Sequence, residues 1–450
     1  MAKLILPGAS PQLLWDTFDF IGDSRCAAIS STVGGQLHGT GATHWFPWVR
    51  AMSQHKYKLG LALGLSGYTT DQYINANLAQ ALASKSGWLV FDKPCINDLV
   101  ANSNGGVFPF TNTNGVVVTT SNVAQIAVGN IIAAATKALA LGKRVLVTAE
   151  PGAANLQTAM LNQCFLVSDM LKAWADVTPN VTYYDPRAKL WNATVSTTGL
   201  QYKANFSPDG THAYPIMAYT EAVDIKQMLD PLIIGNDNAS FNTAMTNANY
   251  AREMTPNPLF NNLSGGVRTT IGGTGPVPAG MTISGLASST CNITSVANAN
   301  GWGNDITFAC TTTVADSIKL LISQPSNALF TLNSYLTSGV DVDVAAGSTN
   351  AYVPYLTTVM GSNTNATPHG DASYDMYSNV TSWFSPSAAY SMRYRTPKAR
   401  LLDMNPTATS IWYVQSLVNV IFSAAGTQTV TLRRPTFKTG LVYANGAFSG

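Results

Sequence analysis

Two short segments of this chain hold side chains able to share a proton. Phe20-Ile21-Gly22-Asp23-Ser24 is an apolar run that ends in Gly-Asp-Ser. A serine there sits at a strand-to-helix turn with its hydroxyl exposed. A serine hydroxyl is a weak nucleophile and needs a base within hydrogen-bond reach. The segment Ser207-Pro208-Asp209-Gly210-Thr211-His212 offers one. Asp209 and His212 stand three residues apart on a turn leading into a helix. That spacing sets a carboxylate against one imidazole nitrogen and leaves the other facing outward as general base. The chain has five histidines, His38, His44, His55, His212 and His369. Only His212 has a carboxylate at this spacing within a turn.

Other chemistries find less support. The five cysteines, Cys26, Cys95, Cys164, Cys291 and Cys310, form no C-x-x-C pair, which argues against a zinc or redox motif. Cys291 and Cys310 share the β-rich second half and read either as a pair or as two buried thiols. The formal net charge is +2, with no dense run of Lys or Arg, so no nucleic-acid partner is expected. The cluster Arg393, Arg395, Lys398, Arg400 reads as a solvated strand edge. Hydrophobic residues make up 46% of the chain, enough for a sizeable core, and charged residues only 11%, against a usual share of about 25%. Asn, Thr, Ser and Gly supply the polarity instead, a style common in extracellular and virion β-proteins. The opening MAKLILPGAS does not read as a signal peptide, because Pro7 ends its short apolar run. No stretch approaches the roughly 20 apolar residues that span a bilayer; Ile131–Leu141 is short and contains Lys137. The expected setting is extracellular or virion-associated, reached without a standard signal peptide, and membrane insertion is not expected.

The elements that must position Ser24, Asp209 and His212 alternate along the first half. Strands are predicted at Phe18–Gly22, Lys58–Leu63, Trp88–Phe91, Arg144–Thr148 and Val181–Tyr184. Helices are predicted at Trp45–His55, from the capping-box pattern Thr69-x-x-Gln72 to about Ser84, and at Ser121–Leu141, Asn155–Ala175 and His212–Leu229. Strands separated by helices imply a parallel sheet covered on both faces. Reactive groups in such folds gather at the carboxyl ends of the strands. Ser24, the Gly67 region, Asn97 and Glu150 all follow predicted strands, although Glu150-Pro151-Gly152 reads first as a turn. The polar loop Asn102–Thr120, with Phe108 and Phe110, reads equally as a rim over the site or as a packed surface loop. Beyond about Asp230 helical periodicity disappears. Met254–Pro258 reads as a linker entry. Short runs follow at Val267–Ile271, Met281–Ile283, Asp305–Ala309, Ser317–Ile322, Ala328–Leu332, Ala351–Val359, Ile411–Val420 and Thr427–Leu432. They suggest a β-sandwich or jelly-roll module.

Gly22-Asp23-Ser24 and Asp209-x-x-His212 together resemble the SGNH (GDSL-like) hydrolase family, whose first block is Gly-Asp-Ser and whose last is Asp-x-x-His. Leu65-Ser66-Gly67-Tyr68-Thr69-Thr70 resembles its second block, and Cys95-Ile96-Asn97-Asp98 its third, with Cys95 in place of the usual glycine. The resemblance covers roughly residues 15–230. It implies an α/β, flavodoxin-like three-layer sandwich with a parallel five-stranded sheet over residues 1–250, followed by a β-sandwich or jelly-roll domain over 251–450. It implies Ser24 as nucleophile, His212 as base and Asp209 as its orienting carboxylate. The oxyanion donors it implies are the Ser24 and Gly67 N–H groups and the Asn97 side chain. Asp23 reads as a brace of the turn. No metal or cofactor is required. Composition and layout point to O-acetyl esters of a polysaccharide as substrate, as in the phage-tail and prophage carbohydrate O-acetyl esterases that the arrangement resembles. Two alternatives stand beside this: a small-acyl esterase or lipase without glycan preference, and an inactive glycan-binding or structural virion protein. Homo-oligomer formation and virion attachment are left open. Trp302, Tyr374, Tyr377, Trp383 and Trp412 read as sugar platforms or, since strands bury aromatics routinely, as core.

Overall fold

The computed structural model describes residues 12–33, 36–53, 56–154, 156, 158–192, 202–233, 255, 257, 259–323, 331–332, 334–362, 371–377, 389–396, 399–404 and 408–439. Two compact units are present. One comprises Met1–Ile29, Lys56–Ala213 and Val223–Gly235, the other Ser30–His55, Tyr214–Ala222 and Asn236–Gly450. The chain thus passes between units more than once, where the sequence pattern suggests one division after residue 250.

The first unit is built on strands β1 (Leu14–Gly22), β2 (Lys58–Gly64), β3 (Ser86–Phe91), β4 (Arg144–Thr148) and β5 (Val181–Tyr184). All pair in parallel in the order β2-β1-β3-β4-β5. That 2-1-3-4-5 order is the flavodoxin-like one. Every residue of β3, Ser-Gly-Trp-Leu-Val-Phe, is buried, as a central parallel strand covered on both faces requires. Ile21, Leu89, Phe91, Val145 and Val147 face a core shared with helices α2 (Thr70–Ala83), α4 (Val123–Ala140) and α5 (Thr158–Val177). Their neighbours Phe18, Phe20, Trp88, Val90 and Leu146 alternate onto the opposite, equally buried face, where Phe18 stacks on Trp88 at 5.3 Å. The unit is a three-layer α/β sandwich.

The helices start and stop for local reasons. The expected capping box opens α2: Thr69 N–H donates to the Gln72 side chain at 3.0 Å. Helix α4, 18 residues with a hydropathy of 1.5, is long and apolar enough by composition to cross a membrane. The apolar run read from the sequence, Ile131–Leu141, covers only the second half of α4. Its buried face, Ala124, Ala127, Val128, Ile131, Ala135 and Ala138, packs into the core just described. Helix α6 (Pro215–Leu229) starts three residues later than expected. Proline suits the first helical position, where its missing N–H costs nothing, so His212 stays in the preceding turn.

The second unit is mainly antiparallel β and matches the expected sandwich class. Strands β6 (Thr290–Ala297), β7 (Asn304–Thr312), β8 (Asp316–Ser323), β9 (Tyr335–Val344), β10 (Tyr355–Ser362) and β11 (Tyr390–Arg395) gather around β12 (Ile411–Thr439). β12 pairs with β7, β8, β9 and β10. The sequence splits this strand into two runs. It is continuous because Gly426 and Thr427 keep their pairing, the latter to Thr349. Ser30–Val33 and Gln36–Gly41, not foreseen as strands, join this sheet through Asp371–Tyr377. Of Ala328–Leu332 only the last two residues are described, and they are not strand. Most of the Met254–Pro258 linker lies outside the described residues, as do Lys398, Trp383 and His369.

One reading of this half changes, and two that were left open are narrowed. Arg393 is not on a solvated edge. It is buried and paired with Asp341 at 3.1 Å. Trp302 carries the Arg434 guanidinium over its ring at 3.9 Å, so that face is already stacked. Cys291 and Cys310 face each other in register between β6 and β7, as buried free thiols with sulfurs 3.6 Å apart.

Candidate active site

Strand β1 ends at Gly22, and Ser24 opens the short helix α1 (Ser24–Ala27). Asp23 caps it: its Oδ1 accepts the Arg25 N–H at 2.9 Å. An N-cap carboxylate satisfies a backbone donor that the helix cannot. The Gly-Asp-Ser turn therefore presents Ser24 at the carboxyl edge of the sheet.

The second segment meets it from 188 residues away. The Ser24 hydroxyl lies 2.8 Å from His212 Nε2. His212 Nδ1 lies 2.7 Å from Asp209 Oδ2. The other Asp209 oxygen accepts the N–H groups of Thr211 at 2.9 Å and His212 at 2.8 Å. Burial works to raise the Asp209 carboxyl, but these hydrogen bonds and the imidazole outweigh it and hold it down at about 2. It is therefore a carboxylate at neutral pH, and it fixes the imidazole with Nδ1–H donating and Nε2 free to accept. Gly210 makes the turn possible. Its φ is +77° and an added Cβ would meet the Ala154 Cβ at 2.3 Å, a conformation and an approach that only glycine tolerates.

The middle blocks converge on the same turn. Leu65 N–H donates to Gly22 carbonyl at 2.9 Å, tying the loop after β2 to the end of β1. In that loop Gly67 has a φ of +81°, and its carbonyl accepts the Asn102 side chain at 2.7 Å. Asn97, on helix α3 (Ile96–Leu99), donates from Nδ2 to the Tyr68 carbonyl at 3.0 Å and lies 3.5 Å from Asp23 Oδ2. One amide hydrogen is thus held by Tyr68, and the other makes only a long contact. Beneath it Asp98 is buried and accepts the Thr70 N–H and hydroxyl at 2.9 and 2.8 Å. Burial outweighs those bonds and pushes Asp98 up to about 7. The loop Asn102–Thr120 is pinned rather than loose. Thr113 N–H donates to Asp71 at 2.7 Å, and Phe110 and Val118 enter the core.

Arg25 and its link to Glu150 were missed. Arg25, next to Ser24, reaches Glu150 with two parallel bonds of 2.9 and 2.8 Å, and Asp23 at 3.2 Å. It also donates to the Lys93 carbonyl. Arg25, Asp23 and Glu150 are all buried. Burial pushes the Asp23 carboxyl up against the opposing pull of Arg25. Two signals pointed here: a charged residue directly after the serine, and a carboxylate directly after a central strand. In a chain with 11% charged residues each carries weight. Among the described residues no cluster of three or more His, Cys, Asp or Glu side chains is placed to hold a metal ion.

A flavodoxin-like sheet with a Ser–His–Asp chain of hydrogen bonds at its carboxyl edge is the class of arrangement that the SGNH blocks imply. No protein-family model matches the chain, and no curated protein matches it in sequence. Solved structures similar to it are GDSL lipolytic proteins and carbohydrate esterases. A GDSL-like lipase from Bacteroides thetaiotaomicron is 15% identical, covering 48% of this chain and 89% of its own, with a TM-score of 0.35. A carbohydrate esterase of family 3 from Talaromyces cellulolyticus is 14% identical, covering 48% and 97%, with a TM-score of 0.32. A family 11 carbohydrate-binding module of a Clostridium thermocellum cellulase is 13% identical, covering 37% and 91%, with a TM-score of 0.24. The fold class rests on the strand order, and the site on its own distances.

Proposed function

We propose that the protein is a serine ester hydrolase of SGNH type acting on O-acyl, in particular O-acetyl, esters of a polysaccharide. The unbroken chain from Asp209 through His212 to Ser24 carries this reading. In the proposed reaction Ser24 Oγ attacks the ester carbonyl as its proton passes to His212 Nε2. Asp209 keeps the imidazole oriented and stabilises the imidazolium. The N–H groups of Ser24 and Gly67 and the Asn97 amide hydrogen that Tyr68 does not hold receive the oxyanion. His212 then returns the proton to the leaving alkoxide, and water, deprotonated by the same imidazole, releases the acid. His212 and Asp209 side chains are 43% and 51% exposed, which suits a substrate attached to a large polymer.

A second reading, an acyl esterase without glycan preference, is favoured by exposed apolar side chains. Val107, Val116 and Val117 are 59%, 44% and 54% exposed, on the loop that Asn102 ties to Gly67. An extracellular or virion-associated setting belongs to the main proposal, and detection of the protein in purified virions or culture supernatant tests it. The activity is tested by acetate release from O-acetylated polysaccharides beside 4-nitrophenyl esters of increasing chain length, for wild type and Ser24→Ala. Acetate release lost in Ser24→Ala, with short esters preferred, is the expected result. A preference that grows with chain length selects the second reading. No turnover by folded protein on any substrate returns the chain to a binding or structural role.

A further inference from the structure

Glu150 is fully buried, yet both its carboxylate oxygens and its carbonyl accept hydrogen bonds, from several separate segments. Oε1 accepts from Arg25 at 2.9 Å and from the Gly152 N–H at 2.8 Å. Oε2 accepts from Arg25 at 2.8 Å and from the Cys95 N–H at 2.9 Å. Its carbonyl accepts the Ser168 hydroxyl at 3.2 Å and the Cys164 thiol at 3.3 Å. Arg25 directly follows Ser24. Cys95 caps helix α3, which carries Asn97. The loop held through Gly152 continues to Ala154, whose N–H donates to the Gly210 carbonyl at 2.8 Å, between Asp209 and His212. One carboxylate thus touches the nucleophile turn and the Asn97 turn directly, and the Asp209–His212 turn through one short loop.

We propose that Glu150 is a positioning residue for ester hydrolysis: its carboxylate fixes the Ser24 and Asn97 turns relative to one another and so sets the spacing of the oxyanion donors. The proposal rests on the reading of Ser24 and Asn97 given above. Oxyanion stabilisation depends on donors held in place before charge develops. Two separate loops, each joined to the sheet at one end only, need a cross-tie to hold such spacing. A bidentate Arg–carboxylate pair fixes direction as well as distance. Glu150 touches no reacting atom; it acts through Arg25 and the Cys95 N–H. Cys95 also gains a rationale, because what this block needs at that position is a backbone N–H aimed at Glu150.

Glu150→Gln keeps the shape but replaces one acceptor oxygen with an NH2 that faces the N–H groups of Arg25 and of Cys95 or Gly152. Hydrolysis of 4-nitrophenyl acetate is measured for wild type, Glu150→Gln, Asn97→Ala and the double variant, each with its thermal transition recorded. The expected result is a kcat lower by about 100-fold in Glu150→Gln, with KM changed less than about threefold. In the Asn97→Ala background the same change costs less than about fivefold, because the two residues act as a unit. A kcat within about threefold of wild type, or an equal loss in both backgrounds, overturns the proposal. If Glu150→Gln does not fold, Arg25→Lys carries the test. It keeps the charge but loses the fork, and a kcat loss below about tenfold then overturns the proposal. Ser24→Ala is run alongside: if it retains activity, the underlying reading falls and the proposal with it, whereas its inactivity leaves Glu150 to be judged by the other variants alone.

Discussion

The site contains two hydrogen-bonded carboxylate pairs of opposite construction. Asp209 and His212 are close in sequence and half exposed, with side chains 51% and 43% accessible. Two backbone N–H groups of their own turn hold the carboxylate in place. Arg25 and Glu150 are 125 residues apart and nearly inaccessible, at 4% and 0%. Their partners come from four separate segments. In the proposed reaction the first region moves protons; it forms within one turn and water screens it, so it adds little to stability. The second sits where an uncompensated charge is expensive. It couples loops that carry the chemistry without taking part in it. Activity and stability should therefore separate between the two.

The largest effect expected is on turnover. Ser24→Ala and His212→Ala should each lower kcat/KM on 4-nitrophenyl acetate by roughly 10⁴- to 10⁶-fold, since nucleophile and base act as one unit. Next, Asp209→Ala should cost roughly 10⁴-fold in kcat, while urea denaturation shows a stability change of about 1 kcal/mol or less. A large stability loss there would erase the distinction between the regions. Glu150→Ala should add to its loss of activity a stability loss of about 3–5 kcal/mol in the same titration, because buried Arg25 keeps only Asp23 as a carboxylate partner and the Cys95 and Gly152 N–H groups lose their acceptor.

The smallest effects are in pH dependence, and the two carboxyls run in opposite directions. Asp209 sits at about 2, below its ordinary 3.8. Its contribution is fully present above about pH 4 and is lost as pH falls towards 2. Stability curves of wild type and Asp209→Asn should run parallel above pH 4 and converge below it. Asp98 is raised from 3.8 to about 7, burial outweighing the Thr70 hydrogen bonds. Its contribution is intact below about pH 4 and declines as pH rises to 7. Asp98→Asn should accordingly gain on wild type between pH 4 and 7. Curves that stay parallel over that window would place Asp98 in a wetter environment than its burial indicates.

Much of this was legible in order along the chain. The strands β1 to β5 and helices α2, α4 and α5 announce themselves by apolar period, by the Thr69–Gln72 box and by Gly142 after α4. Gly-Asp-Ser after an apolar strand and Asp-x-x-His in a turn each state a local geometry that the structure contains. The short strands at Ser30–Val33 and Gln36–Gly41, which pair with each other, were missed because the sheet that they extend is reached through Asp371–Tyr377, far along the chain. The split of β12 into two runs is a related error: Gly426 looks like a breaker alone and is held extended by pairing.

By itself the sequence determined what neighbours in the chain can decide: the period of each element, the Asp23 cap on α1, and the Asp209–His212 turn with its glycine. Only the tertiary structure decided which distant groups meet. It placed Nε2 of His212 beside Ser24, drew Asn97 to Tyr68, and closed Arg25 on Glu150. The physical reason is range. A cap or turn forms between groups a few bonds apart, whereas a buried carboxylate becomes a cross-tie only when packing removes its water and leaves protein donors as its remaining partners.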